Sequence, residues 1–159
     1  MQRLTTLYID KESHNFSAAH YTIFSADSRE RLHGHNYSVS ARIVSPVGDN
    51  GLSADYNIYK TRLMALCDAL DEYTLLAGDS PFQQIAEEGS YYRVKFSDDE
   101  MLFLKSDTQI LPIRNATIEE FSHLILQRLL EQCVGEDLRE IEICVASGAG
   151  QRACALWQC

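Results

Sequence analysis

The chain has 159 residues, 45% hydrophobic and 23% charged, which fits one soluble globular domain over residues 1–159 with a core of its own. A net charge of −9 with no Lys/Arg block argues against a nucleic-acid partner, whose affinity comes mainly from neutralising phosphates, but leaves room for a small phosphorylated substrate. No apolar run reaches the ~18–20 residues of a membrane span, and "MQRLTTLYIDKESHNF" lacks the apolar core of a secretory signal, so the expected location is cytoplasmic.

The first ~45 residues read as strands. "LTTLYID" is rich in β-formers, and Tyr37, Val39, Ala41 and Ile43 alternate with Ser38, Ser40 and Arg42 until "SPVGDNG" stops the run. From Tyr56 to about Tyr73 the period lengthens: Tyr59, Leu63, Leu66 and Leu70 form one stripe of a helix, broken at "AGDSP". "YYRVKFSDDEMLFLK", about residues 91–105, places two alternating runs around a polar tetrad and reads as an inserted hairpin. A second helix begins at Thr117, where "TIEE" has the form of a capping box, and Gly135 provides a stop. Ile141, Ile143 and Val145 then alternate with Glu140 and Glu142 before "SGAG" turns the chain into "RACALWQ".

This order predicts an α+β domain, an antiparallel sheet with helices on one face. Its exposed strand edges call for a second subunit or closure into a barrel. The five cysteines are odd in number and none forms a CxxC pair, which reads as reduced thiols; Cys67, Cys133 and Cys144 fall in apolar patterns as core residues.

The chemistry concentrates in "RERLHGHNYSVS". On an extended strand residues two apart share a face, so His33 and His35 project together, and His20, ending "NFSAAH", is the natural third partner. Three neutral imidazoles leave one tetrahedral position open, the pattern of catalytic rather than structural zinc. The competing reading is two polar residues in an ordinary turn. His14 and His123 read as structural or exposed.

"FSAAH", "LHGHNY", "ADY" before a helix ending "ALDEYTLL", and "NATIEEF" together resemble the 6-pyruvoyl-tetrahydropterin synthase / 6-carboxytetrahydropterin synthase family, in the right order over nearly the whole chain. The resemblance implies the T-fold: a four-stranded antiparallel sheet carrying two helices, trimers closing a β-barrel, and two trimers stacked as a homohexamer. It also implies zinc on His20, His33 and His35 and a pterin substrate of the dihydroneopterin triphosphate kind.

Three positions depart from the family's pattern. Its usual cysteine, four residues before the first histidine of the HGH pair, is Arg29 here. The next residue makes the motif "ERLHGH", which resembles a subgroup using glutamate as base and cutting the substrate side chain to 6-hydroxymethyl-dihydropterin; that implies Glu30 as the base, provided partial burial draws its pKa toward neutrality. The bland reading of Glu30 is a solvated charge between Arg29 and Arg31. The family's Asp–His relay becomes Asp71–Glu72, which either relays protons with one pKa raised or merely ends a helix in solvent. The glutamate that anchors the pterin ring becomes Ser147, while Glu119 and Thr117 match two other pocket positions. Intact metal ligands beside altered partners leave two further readings: a zinc protein with a changed small-molecule substrate, or a non-catalytic zinc-binding oligomer.

Overall fold

The alternation around residues 37–43 belongs to the longest strand of the molecule. The computed structural model describes residues 2–159. Its strands are β1 (Leu4–Ile9), β2 (Asn15–His20), β3 (His33–Pro46), β4 (Tyr73–Ala77), β5 (Gln83–Glu88), β6 (Tyr91–Phe96), β7 (Asp99–Leu104), β8 (Thr108–Leu111), β9 (Glu140–Gly148) and β10 (Gln151–Gln158). Helices α1 (Tyr56–Asp68) and α2 (Ile118–Gln132) interrupt the series.

Seven strands form one sheet in the order β10-β9-β3-β2-β4-β8, with β1 also on β3. β3 is long enough to pair antiparallel with β2 through its first half and with β1 through its second. β9 takes the other edge of β3 from Ser38 to Val44. β2–β4 and β4–β8 are parallel, so the sheet is mixed and seven-stranded rather than the four-stranded antiparallel sheet expected. The additional strands β4 and β8 are only five and four residues long. Residues 91–105 contribute β6 and β7, and β5 joins them as the third strand of a separate antiparallel sheet.

The odd-numbered residues of β3 and β9 turn inward. Tyr37, Val39, Ala41, Ile43, Ile141, Ile143 and Val145 meet the buried stripes of the helices, including Tyr59, Leu63, Phe121, Ile125 and Leu129. α2 packs on β9 and β10, and α1 packs on β2 and α2. Around Tyr37 the packing is aromatic: Phe16 stacks on it at 4.9 Å and Phe121 meets it edge-on at 5.3 Å. A smaller cluster of Tyr21, Ile23, Leu76, Val94 and Phe96 joins the three-stranded sheet to the loop after β2.

The helix expected to reach Tyr73 ends at Asp68. The stripe continues to buried Leu70 in a turn, Glu72 takes a left-handed φ of 63°, and Tyr73 already begins β4. At α2, Thr117 caps as expected by accepting from the Glu120 N–H at 3.4 Å, but the Glu120 carboxylate accepts from the Arg114 N–H at 2.8 Å instead of closing the reciprocal box.

The expectation of wholly reduced thiols is also corrected. Cys144 and Cys154 lie directly opposite on β9 and β10 and form a disulfide, leaving Cys67, Cys133 and Cys159 free. Cys144 is an even-numbered residue of β9, so it faces away from the helices, opposite to the core side where its apolar neighbours point. No helix among the described residues is long and apolar enough to cross a membrane.

Candidate active site

The end of the β2–β3 ladder assembles the three histidines. His20 pairs in register with His33, and His35 follows two residues along on the same face. The glycine between them allows the close approach: a Cβ at Gly34 would lie 3.2 Å from the Ala18 carbonyl oxygen on the neighbouring strand. Ring centroids stand 4.7 Å apart for His20–His33, 5.2 Å for His20–His35 and 4.8 Å for His33–His35. Tyr37 lies beneath, edge-on to His20 at 5.9 Å and to His35 at 5.6 Å.

Backbone carbonyls orient two of the rings. His20 Nδ1 donates to the Ala116 carbonyl at 2.6 Å and His33 Nδ1 to the Arg31 carbonyl at 2.7 Å, which leaves each Nε2 with a lone pair. His20 Nε2 is buried with no hydrogen-bond partner. Burial holds this imidazole below the usual histidine value, the Ala116 carbonyl partly offsetting it, so the ring is neutral at pH 7.

A ligand nitrogen of each histidine lies within 4.8 Å of the other two. His33 Nε2 and His35 Nε2 are 3.0 Å apart. Tetrahedral zinc with Zn–N bonds near 2.0–2.1 Å separates neighbouring nitrogens by about 3.3 Å, so small ring rotations would admit the ion. An orphaned buried acceptor, carbonyl-fixed tautomers and three imidazoles fit a zinc-like metal.

Glu30 reaches the same cluster, with its Oε2 3.9 Å from His33 Nε2. The Thr22 N–H donates to that oxygen at 3.0 Å, and the Glu30 N–H returns a bond to the Thr22 carbonyl at 2.8 Å. Burial pushes the carboxyl upward, but the bonds from Thr22 and the neighbouring imidazoles outweigh it and hold the group below its ordinary value. The upward shift expected from burial is therefore reversed, and Glu30 is a carboxylate at neutral pH.

The other candidates are dispersed. Asp71 accepts from the Ser17 N–H at 2.7 Å, while the Glu72 N–H donates to the Ser17 carbonyl at 2.7 Å, so this pair grips the edge of β2. Neither makes a described hydrogen bond to a histidine. Glu72 nevertheless lines a cleft of about 550 Å³ with Ser17, Gly34, His35, Asn36 and Asp107. Ser147 lies one step beyond the last β3–β9 pair, where its hydroxyl accepts from Gln151 Nε2 at 2.9 Å. Thr117 is half-buried at the N-cap, Glu119 is exposed in the first turn of α2, and His123 is exposed further along it. His14 is buried and its Nε2 donates to the Lys60 carbonyl at 3.1 Å, away from the cluster.

Two side chains brace the loop after β2 in ways no local pattern indicates. Asn115 accepts from the Ile23 and Ala116 N–H groups at 3.0 and 3.1 Å and donates to the Ile23 carbonyl at 2.8 Å, joining the loop after β2 to the start of α2. Arg29 turns its guanidinium toward the inserted sheet. "NATIEEF" contains Asn115, but only Thr117 and Glu119 of that motif are assigned pocket roles by the resemblance.

The family model described as 6-pyruvoyl tetrahydropterin synthase matches residues 8–152. The structure superimposes on 6-pyruvoyl tetrahydropterin synthase of Plasmodium vivax with a TM-score of 0.93 and 27% identity, covering 99% of each chain. The Plasmodium falciparum enzyme gives a TM-score of 0.92 and 27% identity, covering 98% of this chain and 99% of that one. Two variants of the Plasmodium vivax protein, in which a glutamate described as a catalytic residue is replaced by alanine or cysteine, match with a TM-score of 0.93 and 26% identity, covering 99% of each chain. No protein of curated function matches at the sequence level.

Proposed function

Because this chain belongs to the 6-pyruvoyl tetrahydropterin synthase family, we propose that it is a zinc-dependent lyase acting on dihydroneopterin triphosphate or a related pterin. One observation carries the reading: three imidazoles converge on one point with an ionised carboxylate beside them. His20, His33 and His35 would hold the metal, whose contribution when bound is Lewis acidity toward substrate hydroxyl oxygens.

The rest falls to the chain's own residues. Glu30 is the general base: the Thr22 N–H fixes one oxygen, and the charged carboxylate removes a proton from the substrate side chain. As the 2′-hydroxyl loses its proton, C2′ becomes a carbonyl and the C1′–C2′ bond breaks; an aldehyde carrying the triphosphate leaves, and C1′ takes up a proton to give 6-hydroxymethyl-dihydropterin. A catalytic glutamate in the Plasmodium vivax protein, with the family's thiolate position occupied by Arg29 here, supports a carboxylate base. Glu72 lines the cleft beside His35 with Asp71 next to it in the chain, and the resemblance assigns Thr117, Glu119 and Ser147 to the pterin pocket. Assembly as a homohexamer of two stacked trimers is consistent with β8 and β10 ending the large sheet.

Ser147 favours a second reading, a changed small-molecule substrate, because a hydroxyl already accepting from Gln151 supplies no charge to anchor a pterin ring. Incubating zinc-loaded protein with dihydroneopterin triphosphate and separating the products decides between them. Formation of 6-hydroxymethyl-dihydropterin supports Glu30 as base. A pyruvoyl product transfers that role to another group, and absence of both binding and turnover favours the changed substrate.

A further inference from the structure

Arg29 stands where the resemblance would put a thiolate, yet its guanidinium points away from the histidines. It lies 5.3 Å from the centroid of the Tyr21 ring and 5.6 Å from that of Phe96. Both rings are almost completely buried, and the Arg29 side chain is only 19% accessible. One guanidinium nitrogen donates to the Glu30 carbonyl at 3.0 Å, and another reaches the Asp99 carboxylate at 3.4 Å. The cation therefore joins the loop after β2 to β6 and β7 of the inserted sheet.

Each neighbour of Arg29 is fixed in turn. The Tyr21 hydroxyl donates to Gln83 Oε1 at 2.7 Å, and Gln83 Nε2 donates to the Ala77 carbonyl at 2.8 Å, so β5 and β4 hold that ring. Arg29 pairs with Ile23 in an isolated bridge, and the next residue closes the Thr22–Glu30 bonds. Displacing residue 29 therefore displaces the segment from which the Glu30 side chain is aimed.

We infer that Arg29 is a positioning residue: clamped between Tyr21 and Phe96, it makes the inserted sheet the support that aims Glu30 at the histidine cluster. The inference rests on Glu30 being the base of the proposed reaction. It also gives a physical reason for arginine at this position. A planar guanidinium meets two aromatic rings and two oxygens at once, whereas the compact ammonium of lysine cannot. The insertion, remote in sequence from every metal-ligand candidate, thereby becomes part of the catalytic apparatus.

The test uses Arg29→Lys, Phe96→Leu and Phe96→Tyr in the full-length protein. In metal-free protein, amide exchange at Thr22 and Glu30 should speed up by roughly tenfold in Arg29→Lys and Phe96→Leu, while amides of α2 keep wild-type rates. With zinc loaded and dihydroneopterin triphosphate as substrate, kcat should fall roughly 10- to 100-fold with KM and zinc stoichiometry held. Phe96→Tyr keeps the aromatic face and should restore both readouts. Unchanged Thr22 and Glu30 exchange in both disruptive variants overturns the inference, as does acceleration spread evenly over the chain. Absence of turnover in the wild type would overturn the proposed reaction instead, and the exchange rates would still decide whether Arg29 aims Glu30.

Discussion

Replacing Asn115 with Ala removes the side chain that joins the loop after β2 to α2. Three backbone groups lose their partners together: the Ile23 N–H, the Ile23 carbonyl and the Ala116 N–H. Ile23 is 5% exposed and Ala116 2% exposed, so water replaces those partners poorly. Taking the lower end of the cost of an unsatisfied backbone group, ~1 kcal/mol each, the variant should lose about 3 kcal/mol. For a domain of this size that corresponds to a fall in Tm of roughly 6–12 °C. The same change loosens Ala116, whose carbonyl orients His20, so zinc affinity should drop about tenfold as with other losses of ligand support. Urea unfolding at one fixed protein concentration reads the first effect and competition with a fluorescent zinc chelator the second. Asn115→Asp keeps both acceptor bonds and loses only the donor, so it should fall between wild type and the alanine variant. A loss below about 1 kcal/mol with an unchanged denaturant slope would refute the reasoning, because the orphaned groups would then have found other partners.

Removing a ligand should remove the metal: His33→Ala or His35→Ala should lose most bound zinc by elemental analysis, while His123→Ala on the exposed face of α2 keeps it. Equal metal content in all three would dismantle the triad. Glu30→Gln should retain zinc and lose side-chain cleavage, since the amide fits the same space but accepts no proton; undiminished turnover would take Glu30 out of the reaction. Stability should also depend on pH through His14. Burial lowers its folded pKa below the unfolded value near 6.5, so its contribution is complete above that value and is lost as pH falls toward the folded pKa. His20 titrates in the same direction, so the measurement is the difference between wild type and His14→Gln in urea midpoint from pH 7.5 to about 5, with the variant expected to show the shallower slope. Parallel pH profiles would mean that His14 does not titrate differently in the two states.

The long strands, both helices and the histidine triad were legible because each leaves a periodic trace over neighbouring residues. Tyr37 to Ile43 alternate, α2 repeats every three to four, and His33 and His35 occupy consecutive same-face positions of one strand. β4 and β8 leave no such trace. They are short and run parallel to their neighbours, so no tight turn announces them, and the apolar "YTLLA" extends the stripe of the helix before it. β5, "QQIAEE", contains one β-branched residue and is ordered by the ladder it shares with β6. The Cys144–Cys154 disulfide depends on the β9–β10 register, which includes a shift between Gln151 and Arg152 that no spacing rule predicts.

The site divides along the same line. The histidine cluster needs residues two apart on one strand and one residue on its ladder partner, so a local pattern can disclose it. The loop that carries Glu30 is held by contacts distant in sequence: Arg29 with Phe96, Tyr21 with Gln83, and Ile23 with Asn115. A sequence read locally shows Arg29 only as a missing cysteine and Glu30 as a charge between two arginines. In the folded chain the guanidinium has left the histidine cluster for a pair of rings, and the Glu30 carboxylate, oriented by the Thr22 N–H, lies 3.9 Å from His33 Nε2. The substitution and the neighbouring glutamate are thus linked: once residue 29 anchors the loop to the insertion, residue 30 is the side chain directed at the cluster.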